Sequence, residues 1–130
     1  MQTKEQKRSA FALAQVEKVF GIPVDKETAN FVVGVPTMVL ANGLGQTLAF
    51  LLSKKKDQKT PQWKTFQVMK QWLETEEPAL KGKTDLEFLQ AVAAFDQAVY
   101  LQAQQETLAL LQWLKRYVRA FEKGEKGAKE

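Results

Sequence analysis

The chain predicts an all-α fold, a compact bundle of about five to six helices around a central apolar helix. Three observations carry this reading. Apolar residues recur at three- and four-residue steps in every long segment, and alternating strand patterns are absent. Helix start and stop signals punctuate the chain at regular intervals. One stretch, Pro36 to Lys54, is apolar around most of its girth, as expected for a helix covered on several sides.

In chain order, the first helix is expected from about Thr3 to Phe20, with Ala12, Leu13, Val16, Val19 and Phe20 on its sticky face. Gly21 and Pro23 then form a stop signal. A short second helix follows Asp25 as N-cap, with Thr28 at its third position and Phe31 and Val32 inward. Gly34 and Pro36 are expected to separate it from the central helix, which Pro36 opens and Lys54, Lys55 and Lys56 close. Leu40, Ala41, Leu44, Leu48, Leu51 and Leu52 form its buried arc, with Asn42, Gln46 and Ser53 opposite. Gly43 and Gly45 each cost about 1 kcal/mol against alanine in a helix. Close helix approach, a kink, or reception of a partner subunit by the bare backbone would account for them.

Thr60-Pro61 reads as N-cap and first residue of the next helix. That helix carries two apolar faces, Trp63, Phe66, Met69 and Leu73 on one and Val68 and Trp72 on the other, so it is sandwiched or meets another protein. Pro78 ends it, and Lys81-Gly82-Lys83 turns the chain. Thr84-Asp85-Leu86-Glu87 has capping-box spacing. From Asp85 to Glu122 there is neither proline nor glycine, and a join near Ala94–Gln97, with Asp96 capping the fresh start, is preferred to a single helix. Residues 1–122 read as one helical domain and 123–130 as a frayed charged tail.

Composition narrows the chemistry. At 130 residues, 45% hydrophobic and 26% charged, the chain can bury a core without disulfides or metals. It has no cysteine and no histidine, so thiolate nucleophiles, zinc–thiolate sites and the commonest general acid/base are excluded. The aspartates Asp25, Asp57, Asp85 and Asp96 all sit at helix starts or in loops, where capping explains them. No catalytic residue, metal site or cofactor is expected. Asn42, Gln46 and Thr47 interrupt the central segment, which argues against a membrane span, and the polar start lacks a signal-peptide core. A cytoplasmic location is expected.

Basic surface remains, on a chain of net charge +4. Lys115, Arg116 and Arg119 share the face of the last helix turned from its apolar arc, Lys54 ends the central helix, and Arg8 precedes the first apolar turns. Cations on a helix face either track nucleic-acid phosphates or are merely solvated. Trp113 at the edge of the arc can stack on a base or fill a core or interface. Leu101 and Leu108 fall on the polar side of the last helix and hint at a protein interface.

Two stretches go beyond generic helix. Pro36-Thr-Met-Val-Leu-Ala-Asn-Gly-Leu-Gly-Gln-Thr-Leu-Ala-Phe-Leu-Leu-Ser-Lys54 resembles the signature of the small, fifth-numbered Cmr subunit of the type III-B CRISPR-associated RNA-silencing complex, the RAMP module. Glu106-Thr-Leu-Ala-Leu-Leu-Gln-Trp-Leu-Lys-Arg-Tyr-Val-Arg-Ala120 is similar to that family's closing pattern, and Glu5-Gln-Lys-Arg8 to its start. The resemblance implies a non-catalytic helical subunit, present in several copies along a filament. Its partners would be the backbone and large subunits, copies of itself, and guide and target RNA. Lys54, Lys115 and Arg116 fall on basic positions of the motifs and Asn42 and Gln46 on polar ones. Thr107, Val118 and Gly45 depart from the pattern, and the linker from Lys54 to Asp85 is short against some relatives. The expected RNA contacts are therefore Lys54, Lys115, Arg116, Arg119 and Arg8. The expected subunit contacts are Asn42, Gln46, Leu101, Leu108 and Trp113. The reading kept beside this one is a protein–protein scaffold subunit with no direct RNA contact.

Overall fold

The structure, a computed structural model, describes residues 1–54, 56–57 and 59–124. Six α-helices account for most of them: α1 Lys4–Gln15, α2 Lys26–Asn42, α3 Leu44–Ser53, α4 Pro61–Glu76, α5 Asp85–Ala93 and α6 Gln97–Ala120. A π-helical turn, Val16–Phe20, prolongs α1, and a 3-10 turn, Pro78–Leu80, follows α4. Among the described residues there is no strand, only an isolated bridge between Val24 and Glu122. Lys55 and the part of the expected frayed tail from 125 onward lie outside the described residues.

Local chemistry starts these helices where the sequence signals say. Thr3 and Thr84 close capping boxes with Gln6 and Glu87, and Asp25, Thr60 and Asp96 each accept the backbone N–H of the third helical residue. The join between α5 and α6 at Ala94–Asp96 is real. Both faces of α4 are buried, Phe66, Met69 and Leu73 on one side and Val68 and Trp72 on the other, so α4 is sandwiched inside this chain.

The central stretch departs from expectation. Gly34 and Pro36 do not separate two helices, because α2 runs through both. Its buried residues Thr28, Ala29, Val32, Val35, Pro36 and Val39 form one continuous stripe, and this burial outweighs the hydrogen bond that Pro36 forfeits. The break falls at Gly43, whose φ of 88° and ψ of 165° suit only glycine. The break also re-phases the buried arc. Leu44, Leu48 and Leu51 are buried as expected, but Leu40 is 71% exposed and Ala41 is exposed, while Thr47 is buried.

Organisation around Pro36–Lys54 is likewise revised. The longest helix, α6, packs against α1, α2, α3 and α4, whereas the apolar stretch is divided between α2 and α3. The helices α2 and α6 run antiparallel. The N–H of Val24 meets the carbonyl of Phe121 at one end, and the N–H of Leu44 meets Gln104 Oε1 just past the other.

Candidate nucleic-acid interface

Lys115, Arg116 and Arg119 leave α6 on the side away from its buried residues Leu110, Leu111, Leu114 and Val118. With Val33 of α2 they line an open concavity of about 280 Å³. Arg119 donates to Glu122 at 2.8 Å, an exposed pair one turn on, which is a weak tie in solvent. Lys115 and Arg116 form no ion pair among the described residues.

Lys54 caps the C-terminal end of α3, where its charge complements the helix dipole, and its Nζ lies 5.8 Å from the centre of the Phe50 ring. Together with Lys56, Phe31, Thr60, Gln62 and Glu27 it borders a second concavity, of about 610 Å³, on the other flank of α2. The structure thus brings Lys115, Arg116 and Arg119 together, keeps Lys54 apart from them across α2, and sets beside it Lys56, its expected neighbour at the helix end, and Phe31, which was expected inward and is only partly buried.

Arg8 is elsewhere and engaged. Its Nε and Nη2 donate to the two Glu106 carboxylate oxygens at 2.6 and 2.8 Å, and its Nη1 donates to Glu5 at 2.6 Å. This fork is only partly exposed, with side-chain exposures of 17% for Arg8 and 12% for Glu106. Trp72 Nε1 also donates to Glu106 at 3.0 Å. The Arg8 hydrogen bonds, with help from Trp72 and against partial burial, hold the Glu106 carboxyl below the usual carboxylate range. The same bonds hold Arg8 still more firmly protonated.

Trp113 joins the same seam between α1 and α6. Its Nε1 donates to Glu5 at 2.9 Å, and its ring stacks on Tyr117, whose hydroxyl pairs with Ser9 at 2.7 Å. Arg8 and Trp113 therefore both tie α1 to α6, Arg8 largely covered and Trp113 still partly open to solvent.

Asn42 and Gln46 are exposed on either side of the Gly43 break. The free N–H groups at the start of α3 are satisfied from α6, Leu44 by Gln104 Oε1 and Gly45 by the Tyr100 hydroxyl, each at 2.8 Å. A Cβ at Gly43 or Gly45 would meet that hydroxyl at 3.4 Å, so the bare backbone receives α6 of its own chain. Leu101 is 47% exposed, while Leu108 packs partly buried on the core. Sequence reasoning missed Glu106, Tyr100 and Gln104 as joints. The available signal was that Arg8, Gly43 and Glu106 all lie in the quoted motifs.

Among the described residues no three His, Cys, Asp or Glu side chains gather as metal ligands, and no helix is long and apolar enough to cross a membrane. These features define a small helical protein whose conspicuous chemistry is cationic surface beside an antiparallel helix pair. The family model for CRISPR-associated protein (Cas_Cmr5) matches residues 4–121, and the chain belongs to that family. It is thereby a CRISPR-associated subunit of the Cmr complex, associated with the other subunits of that complex. Among the curated proteins compared, none matches the chain.

Proposed function

We propose that this chain is a non-catalytic structural subunit of the type III-B RNA-guided effector, acting in the cytoplasm in antiviral defence. In this reading, copies stack along the assembly and contact guide and target RNA through a basic surface. The observation that carries the reading is the concavity bordered by Lys115, Arg116 and Arg119, two of them without an ion-pair partner among the described residues. Uncompensated cations at a concave surface are the footprint of a polyanion. Lys54 belongs to the same function from the other flank of α2. Arg8, committed to Glu106 and Glu5, serves the fold of the subunit.

Replacing Lys115, Arg116 and Arg119 together by glutamine tests this. Each lost phosphate contact lowers the slope of log affinity against log salt by about 0.7 for a single strand. The triple variant should lose about 2 from that slope in complex–target binding, with helicity unchanged. An unaltered slope would sink the RNA role of this face.

A specific observation also favours protein contact at the opposite end of the α2–α6 pair. Leu40 is 71% exposed one turn before the break that Gln104 caps, and Leu101, one turn from Gln104 on α6, is 47% exposed. These leucines, with Asn42 and Gln46, are proposed to meet a neighbouring subunit. Serine at Leu40 and Leu101 should reduce co-purification with Cmr partners while leaving RNA affinity per assembled complex unchanged.

A further inference from the structure

The two basic concavities are not independent features, because α2 alone separates them. Val33, on one flank of α2, borders the α6 concavity, and Phe31, on the other flank, borders the one holding Lys54 and Lys56. Between the flanks runs the solvent-facing ridge of α2, formed by Asn30, Gly34, Thr37 and Ala41, all exposed and none acidic. Carboxylates stand at the two ends of the path rather than on the ridge: Glu27 borders the Lys54/Lys56 concavity, and Glu122 pairs with Arg119.

A helix with its side chains is about 10–12 Å across. The Debye length at physiological salt is about 8 Å. The two flanks thus lie more than one Debye length apart, so each set of cations acts on its own phosphates, and a strand reaches both sets only by crossing the helix between them. Lys54, Lys56, Lys115 and Arg116 form no ion pair among the described residues, so their charge is not spent within the chain. Phe31 is partly buried at the edge of the second concavity, where an aromatic ring can receive an unpaired base. A protein partner would have to bring several carboxylates to both flanks at once, whereas a nucleic-acid strand brings a phosphate at every step.

We infer that a single RNA strand crosses the α2 ridge, passing from the Lys115/Arg116/Arg119 concavity over Asn30–Thr37 to the Lys54/Lys56 concavity. This deepens the RNA-contacting reading above and rests on it. The chain then holds one strand at two places with a helix as the saddle between them, and the direction of α2 sets the direction of crossing.

Gly34 offers the test. It lies on the ridge, and a Cβ there would meet nothing within 4 Å, so a longer side chain enters solvent without disturbing the core. The measurement is fluorescence anisotropy of a labelled oligouridylate of about 12 nucleotides against the full chain at about 50 mM salt. Gly34→Glu should weaken binding about tenfold, and Gly34→Lys should tighten it. Leu86→Glu, which adds the same charge on α5 away from both concavities, should leave it unchanged.

Weakening by both Gly34 variants would also place the strand on the ridge, through bulk rather than charge. Both Gly34 variants matching Leu86→Glu, while the triple glutamine variant still loses binding, would overturn the crossing and leave the RNA role of α6 standing. A triple variant that binds as well as wild type would overturn the underlying reading together with the crossing, and where the chain alone binds too weakly to compare variants the same comparison is read on the assembled complex. Circular dichroism on each variant confirms that helicity is retained.

Discussion

Two glycines in the same apolar stretch have opposite meanings. Gly43 adopts a backbone region open essentially to glycine alone, and a Cβ there would lie 3.4 Å from the Tyr100 hydroxyl. Gly34 is an ordinary helical residue facing open space. Gly43→Ala should therefore cost about 1–3 kcal/mol in urea unfolding. Gly34→Ala should add about 0.4–1 kcal/mol by restricting the unfolded chain. Equal effects would show that the break is not where the structure puts it. Glu106 permits a second residue-scale prediction. Its pKa is lowered from the usual 4.5 in the fold, so the Arg8 pair contributes stability above that value and loses it as pH falls through the depressed one. Glu106→Gln should cost about 2 kcal/mol at pH 7 by leaving Arg8 without its fork. The gap to wild type should then shrink towards pH 3, as both chains come to carry an uncharged group at position 106.

At the scale of elements, α6 depends on a start it makes for itself. Asp96 accepts the Val99 N–H at 3.0 Å, and this cap sets where the 24-residue helix begins. Asp96→Ala should cost about 1 kcal/mol and raise amide exchange across residues 94–100 first. The start of α3 is made differently. No side chain of its own caps it, and Gln104 and Tyr100 reach over from α6 instead. Tyr100→Phe should therefore loosen the α2–α3 corner, by about 1 kcal/mol, although the substituted residue lies on another helix. The same contrast explains why Pro36 does not open a helix of its own. A proline is a strong local stop, but six buried residues spaced along one face of α2 hold that helix through it.

For the whole molecule, the legible part of the site was the part that needs no partner. Lys115, Arg116 and Arg119 could be placed on one exposed face because their spacing alone puts them there. Arg8 could not be told apart from them, since its partner Glu106 is 98 positions away. Trp113 was ambiguous for the same reason, because its donor finds Glu5 at the far end of the chain. Leu40 moved from the expected core to the surface once Gly43 broke the helix that periodicity had drawn as continuous. The two-flank basic surface was invisible for a related reason. It exists only because α2 is laid antiparallel beside α6 with α3 and the start of α4 on its other side.

The amino-acid sequence by itself determined the helical class, four of the five capped helix starts, the join before α6 and the family. All of these are written in interactions within a turn or two, or in contiguous motifs. Only the tertiary structure decided which cations stay free, where the apolar stretch bends and which leucines face out. A charge is spent or kept, and a glycine is strained or idle, according to side chains that the fold brings in from distant helices.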